Sequence, residues 1–364
     1  MNLLVLDQFS DLGGAQQVLL ELLPAMRDSG WRVLTGLPGD GELFDRLRAM
    51  GMETERIACG PYRSGRKSAA DVARFVVGTP RLAMQIHRMA KRIDAGLVYC
   101  NGPRLLPAAA MAGVGCPVLF HAHSFLGAGP VRRIAGAALK RMDAWVVGQC
   151  EFVAAPWREA ARVSVIYNGV DGPASVPLRV RSGPPRVGCI GRIAPEKGQR
   201  EFVAAAARIH RAVPGCRFII YGAPLFGDRA AETYAAQVRA DAAGLPVEFA
   251  GWVNDVTPCL AELDLLLVPS CGIEATTRVI LEAFAWGVPV IAFPSGGIPE
   301  VVEHRVNGML AKDREEMADY AIELLRGDGG AVLSRAARAS WEERFTLQRF
   351  RLEMRRKLET ISGA

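Results

Sequence analysis

The stretch G-I-E-A-T-T-R-V-I-L-E-A-F-A-W-G, residues 272–287, keeps two carboxylates, Glu274 and Glu282, around an otherwise apolar run. Val279, Ile280, Leu281, Ala283, Phe284, Ala285 and Trp286 crowd into its second half, and Gly287 is placed to stop the helix they form. A helix that is apolar almost all round is buried. An unpaired carboxylate there is costly. Glu282 therefore calls for a small solvent window or a partner, and a pair of ligand hydroxyls would serve. Glu274 stands before the helix, behind a Pro-Ser-Cys-Gly loop that leaves a strand, which aims it into a cleft. The plain alternative is a pair of solvated surface glutamates.

A matching anion site is suggested by G-R-I-A-P-E-K-G, residues 191–198, which follows a strand and opens a helix. Pro195 suits a first helical turn. Lys197 opposes the helix macrodipole by about 0.3–1 kcal/mol. Together with Arg192 and free backbone N–H groups, it makes a site that a diphosphate would fit. The alternative is a surface pair of Lys197 with Glu196 or Glu201. Near the start, Gly13 and Gly14 lie where the first strand turns into a helix, a place that lets backbone approach a negative ligand. Their spacing is not the G-x-G-x-x-G of dinucleotide sites. A further glycine turn, F-P-S-G-G-I-P-E (293–300), also joins a strand to a short helix.

His121 and His123 close the strand C-P-V-L-F-H-A-H, and period-two alternation puts both on one face. No third ligand stands at metal-site spacing, so no metal is expected. One of the pair is expected to face the cleft.

The elements that must position these residues are alternating strands and helices. Residues 2–6, 31–35, 95–100, 116–121 and 144–148 form one set of strands, and 186–191, 216–222, 247–251, 264–269 and 288–293 form a second. Ala-, Leu- and Arg-rich helical stretches fall between them, the rhythm of parallel sheets covered on both faces. Residues 168–185, dense in Gly and Pro, are expected to link two domains. The fold class is then α/β: two doubly wound Rossmann-like domains, 1–170 and 171–345, whose ligands lie beyond the carboxyl ends of the strands. Residues 346–364 form a last helix with Leu347, Phe350, Met354, Leu358 and Ile361 on one face.

The chain has 364 residues, enough for two cores. Its eight scattered cysteines form no C-x-x-C pair and are expected to be reduced and buried. The N-terminus lacks a basic n-region, and no apolar run approaches the ~20 residues of a membrane span, so a cytoplasmic protein is expected. Residues 1–170 carry 20 Lys and Arg against 14 Asp and Glu, whereas the remainder carries 24 of each. The whole excess of +6 thus belongs to the first half and suggests an anionic partner there. Nucleic acid is not expected, because the basic residues lack interleaved aromatic platforms.

Six segments in order resemble the retaining glycosyltransferases of glycosyltransferase family 4, which have the GT-B fold. They are G-G-A-Q, P-V-L-F-H-A-H, V-I-Y-N-G-V-D, G-R-I-A-P-E-K-G, E-A-T-T-R-V-I-L-E and G-V-P-V-I-A-F-P-S-G-G-I-P-E-V-V. The resemblance covers nearly the whole chain. It implies a metal-independent hexosyltransferase that takes a UDP- or GDP-linked sugar donor and needs no cofactor. By resemblance Glu282 bonds the ribose hydroxyls and Glu274 contacts the transferred sugar. Arg192 and Lys197 hold the diphosphate, and Gly14, with Gly13 beside it, lies near the donor phosphates. His123, rather than His121, lies near the donor sugar. The last helix would cross back to the N-terminal domain. One departure is Thr276-Thr277, where many members have a Phe-Gly type of pair. Backbone contacts to the donor would survive there, and the hydroxyls are expected to cap the helix.

The acceptor is expected to be a glycan or a lipid-linked sugar of bacterial surface polysaccharide or glycolipid synthesis. Residues 63–92 hold Arg63, Arg66, Lys67, Arg74, Arg81, Arg88, Lys91 and Arg92 among apolar residues, a face suited to anionic lipid. The alternatives are a sugar-nucleotide 2-epimerase on the same fold, distinguished by epimer formed without acceptor, and a nucleotide-sugar-binding protein without turnover.

Overall fold

The computed structural model describes residues 1–60, 69–176, 183–225 and 229–363. The chain divides into two compact units, Met1–Asn168 with Gln348–Ala364, and Gly169–Leu347. The first is built on a parallel sheet of seven strands: β1 (Asn2–Asp7), β2 (Arg32–Leu37), β3 (Glu53–Arg56), β4 (Leu97–Asn101), β5 (Val118–Ala122), β6 (Trp145–Gly148) and β7 (Arg162–Val165). Their spatial order is β3-β2-β1-β4-β5-β6-β7. The second has six: β8 (Arg186–Ile190), β9 (Arg217–Tyr221), β10 (Val247–Gly251), β11 (Leu265–Val268), β12 (Val290–Ala292) and β13 (Met309–Leu310), in the order β10-β9-β8-β11-β12-β13.

Both orders reverse direction once, between β1 and β4 and between β8 and β11. At such a switch point the connections on either side leave in opposite directions and open a crevice beyond the strand ends. The central strands read as unbroken apolar runs because helices cover both faces. Leu3, Leu4, Val98, Leu119 and Val146 are buried in the first unit, and Val187, Phe218, Leu266 and Ile291 in the second.

The last helix, Leu347–Ser362, belongs to the first unit. Phe350, Met354 and Leu358 are fully buried, as their spacing requires. Arg351 Nε donates to the carbonyl of Glu21 at 2.8 Å, and an Arg349 nitrogen to that of Tyr167 at 2.6 Å. Part of the expected linker, 177–182, lies outside the described residues. Its beginning is not loose chain: Val170 is buried, its N–H donates to Phe345 O at 3.0 Å, and its carbonyl accepts from Leu347 N at 3.0 Å and Trp341 Nε1 at 3.1 Å. All eight cysteines are free, and two depart from the expectation: Cys116 is half-buried, and Cys271, in the loop after β11, is exposed. Among the described residues no helix is long and apolar enough to cross a membrane.

Candidate active site

Each unit gathers its polar residues at its own switch point. In the C-terminal unit the loops after β8 and β11 are locked together. The backbone leaves β8 through Arg192, makes a 3-10 turn at Pro195–Lys197, and passes Gly198 at φ +71° before the helix Gln199–Ala212 begins. Lys197 therefore stands in a separate turn ahead of the helix, not within it. A side chain on Gly198 would overlap Pro269 O, so the two loops touch backbone to backbone. The N–H groups of Cys271 and Gly272 both donate to Glu196 O at 3.0 Å. On the far side Gly296, at φ +57°, lies equally close to Glu274 O, and Gly297 N donates to that oxygen at 3.1 Å.

Three ion pairs lie on these loops and the helix that follows them. Lys197 Nζ meets Glu274 Oε1 at 2.6 Å across the β8–β11 switch, with side chains 27% and 13% exposed. Arg192 pairs with Glu196. Arg278 Nε donates to Glu282 Oε1 at 2.7 Å, one helical turn apart, and both are largely buried. The surface pair of Lys197 with Glu196 or Glu201 is not what forms. Glu282 finds its partner within the helix, which answers the cost of burying it.

Thr276 and Thr277 lie where expected, at the start of the helix Arg278–Ala285, but their hydroxyls do not cap it. Ile280 N, the amide a capping hydroxyl would take, already donates to Thr277 O at 2.9 Å, so the first turn is tightened and its donor spent. Both Oγ1 atoms are buried without a partner among the described residues.

In the N-terminal unit the switch point holds a different kind of cluster. Asp7 closes β1, Asn101 closes β4, and the register sets them directly opposite each other. The fully buried Asp7 carboxylate accepts from Phe9 N at 2.8 Å, from Gln16 Nε2 at 3.1 and 3.0 Å, and from Asn101 Nδ2 at 2.6 Å. Burial nevertheless pushes its pKa up to about 6. Asn101 Oδ1 meets His123 Nε2 at 2.7 Å. Gln149, just beyond β6, donates to His123 O, and Asn168 donates to Gln149 Oε1.

His121 and His123 share a face as their spacing requires, with ring centroids 3.9 Å apart. Burial pushes His123 down to about 3 and His121 well below its ordinary value, the latter helped by the neighbouring ring. Both imidazoles are therefore neutral. His121 Nδ1 bonds the Tyr99 hydroxyl, and its Nε2 is buried without a partner among the described residues. Gly14 opens the helix Gly14–Asp28 with Gly13 as its cap in extended backbone, and no side chain caps that end. Nothing lies within 4 Å of where a side chain on Gly14 would stand.

Asp7, Asn101 and Gln149 belong to none of the quoted segments, and Asn168 enters only as a member of V-I-Y-N-G-V-D. The one signal of the first three is that each closes or directly follows a strand. Among the described residues no group of three His, Cys, Asp or Glu is arranged to hold a metal ion.

Residues 12–172 match the family described as Glycosyltransferase Family 4, and residues 184–327 the one described as Glycosyl transferases group 1. The GDP-mannose-dependent alpha-(1-6)-phosphatidylinositol monomannoside mannosyltransferase of Mycobacterium tuberculosis is 35% identical over 167 residues, 43% of this chain and 42% of that protein. The D-inositol 3-phosphate glycosyltransferase of Segniliparus rotundus is 34% identical over 168 residues, 43% of this chain and 37% of that one. The match thus spans less than half the length of these relatives. HepE of Anabaena, solved with UDP and with UDP-glucose, superimposes over 99% of this chain and 100% of its own. For the UDP complex the TM-score is 0.82 at 26% identity. Sucrose-phosphate synthase of Thermosynechococcus elongatus, 18% identical with a TM-score of 0.81 over the full length of both chains, shares the fold. The two parallel-sheet units are those of the GT-B fold.

Proposed function

We propose that this chain, which belongs to glycosyltransferase family 4, transfers a hexose from a nucleoside-diphosphate sugar to a hydroxyl of a glycan or lipid-linked acceptor, with retention at the anomeric carbon. The observation that carries this is the Lys197–Glu274 pair across the β8–β11 switch, with Arg192 on the same loop. Breaking the bond between the sugar and the diphosphate leaves positive charge on the sugar and negative charge on the departing oxygen. Fixed cations in a partly dry site stabilise that oxygen strongly. Lys197 would exchange its carboxylate partner for the incoming phosphate, and the freed Glu274 would turn to the transferred sugar. Glu282, anchored by Arg278, would hold the ribose hydroxyls. The acceptor oxygen attacks on the face the diphosphate leaves, and its proton passes to the departing phosphate oxygen. The complexes of HepE with UDP and UDP-glucose support a donor of this class.

Because side-chain cations carry the leaving-group charge, the reaction is given no metal, and transfer is expected to persist in excess chelator. The decisive test is thermal stabilisation by a panel of nucleotides and nucleotide sugars, since a ligand bound only by the native state raises the midpoint. A shift with one diphosphonucleotide that is lost in Glu282→Ala is expected. No shift with any would overturn the transferase assignment.

The enzyme is further proposed to work in the cytoplasm, at the membrane surface, in surface-polysaccharide or glycolipid synthesis. Arg63, Arg66 and Lys67 lie outside the described residues. On the helix Ala69–Ile93, Leu82, Ile86 and Met89 are buried, while Val72, Val76, Val77 and Met84 are exposed beside Arg74, Arg81 and Arg88. Exposed valines flanked by arginines suit an anionic lipid surface. Vesicles of anionic lipid at low salt should float the protein, and failure to do so would remove this part.

A further inference from the structure

We propose that Asp7 and Asn101 are positioning residues that fix His123 in one tautomer, with the proton on Nε2, so that its Nδ1 is presented as a hydrogen-bond acceptor for a hydroxyl of the transferred sugar. The sugar in that statement rests on the transferase assignment above. The tautomer itself does not.

The polarity of the relay follows from which groups can only accept. Asn101 Nδ2 lies 2.6 Å from Asp7 Oδ2 and 3.4 Å from the carbonyl of Ala15. A backbone carbonyl has no proton to give, and an ionised carboxylate has none either. The nitrogen of the Asn101 amide must therefore be the atom that faces them both. That places its carbonyl oxygen 2.7 Å from His123 Nε2. A carbonyl accepts, so Nε2 must donate, and in a neutral imidazole the other nitrogen is then bare. Among the described residues Nδ1 takes no hydrogen bond from the protein, and the His123 side chain is only partly buried.

Two further observations separate this from a chance contact. The His123 backbone is gripped from the opposite side, because Gln149 donates to its carbonyl and is itself held by Asn168. The residue is thus held at its ring by groups that close β1 and β4, and at its backbone by groups beyond β6 and β7. Asp7 is also an expensive choice. It is fully buried, and burial leaves it harder to ionise than a carboxylate in water even though its N–H contacts work the other way. An apolar residue would fill the same space at less cost. A buried carboxylate kept at the origin of a directed chain of hydrogen bonds sets the direction of every bond after it.

The test is nitrogen NMR of the full chain carrying labelled histidine, with the His123 signals assigned by their loss in His123→Gln. The expected result is a His123 ring protonated at Nε2 and bare at Nδ1 across neutral pH. A proton on Nδ1, or an even mixture, overturns the proposal without any variant. Asn101→Ala should then move the ring toward a mixture and lower kcat by about 10- to 100-fold, the range for loss of groups that orient an imidazole. The thermal shift given by the nucleoside diphosphate should be unchanged.

The exchange Asp7→Asn with Asn101→Asp keeps one carboxylate and both hydrogen bonds. It should restore the Nε2–H tautomer and much of kcat. A purely structural role predicts instead that Asn101→Ala lowers the melting temperature while tautomer and kcat per folded molecule stay as they were. If no nucleotide shifts the melting temperature, the transferase assignment fails while the tautomer result still stands or falls by itself.

Discussion

At the switch point of the N-terminal sheet one carboxylate sits among amides and two neutral imidazoles, and hardly any of it is exposed. At the switch point of the C-terminal sheet six charged side chains meet in three ion pairs, each partly open to solvent. The same topology has been given two electrostatic characters. Under the proposed function, a departing diphosphate would meet cations whose carboxylate partners it can replace. A hydroxyl of the transferred sugar would meet donors and acceptors of fixed direction, which a neutral network supplies.

The largest expected effect tests the ionic side. Lys197→Gln should cut kcat/KM for donor transfer by about 10²- to 10³-fold, the range for removing one group that stabilises developing charge. Initial rates with the donor chosen by thermal shift are the measurement. Transfer within a fewfold of wild type would make the Lys197–Glu274 pair a structural tie and dissolve the contrast between the two sites.

Nearly as large is the effect of closing the gap between the loops. Gly198→Ala meets both a left-handed backbone and the carbonyl of Pro269. It should cost about 3 kcal/mol or more and weaken the nucleotide-induced thermal shift, because Glu274 rides on the displaced loop. Gly215→Ala is the control: φ is +88° there, but nothing lies within 4 Å. It should cost only about 1–2 kcal/mol and leave the nucleotide shift intact. Equal effects would mean that backbone conformation, and not loop contact, matters.

The neutral side is sharpened by pH. His121 and His123 are held unprotonated, so below pH 6.5 the unfolded chain binds protons that the folded one refuses. Each therefore removes stability as pH falls below the ordinary imidazole value, and His123, pushed down to about 3, does so at about 1.4 kcal/mol per pH unit. Asp7 acts in the opposite sense. With its folded pKa raised to about 6 from 3.8, the folded state takes up a proton first, so stability is gained as pH falls through that window. Two imidazoles oppose one carboxylate, so stability is expected to fall as pH drops from 6 toward 4. Urea midpoints measured across this range should show it. Asp7→Asn should steepen the fall, and His121→Phe should make it shallower. A flat profile in the wild type would show that the two histidines are not held neutral.

The ionic site was far more legible in the sequence than the neutral one, for a physical reason. Arg192 and Lys197 are cations ahead of a helix start and Glu282 is a carboxylate inside an apolar helix, places where local structure disfavours each, and Glu274 stands in the strand-end loop beside them. Each raises the question of a partner by itself. Asp7 and Asn101 raise none. Their meaning comes from the parallel register that sets residues 94 positions apart in sequence opposite each other. Strands divide in the same way. The central ones announce themselves as apolar runs, whereas β3, β7 and β13 were missed. All three lie at sheet edges, where Glu-Thr-Glu-Arg and Arg-Val-Ser-Val are half exposed and carry no such run. The capping role expected of Thr277 failed because the tightened first turn had already used the amide.

That failed cap leads to the smallest effect and the one most specific to this chain. Thr276 is 6% exposed and its hydroxyl has no partner among the described residues. A buried hydroxyl without a partner costs about 1–3 kcal/mol relative to one that is bonded. Thr276→Val keeps the shape and removes that cost. In the unliganded protein it should therefore raise stability, by about 1 kcal/mol. If the hydroxyl instead waits for an oxygen of the donor, the same change should weaken nucleotide-sugar binding by about tenfold, since one good hydrogen bond is of that size. Opposite signs in the two measurements would identify a group whose satisfaction is deferred to the ligand. A gain in stability with unchanged affinity would leave Thr276 a packing residue, and donor recognition on this side would fall to the ion pairs alone.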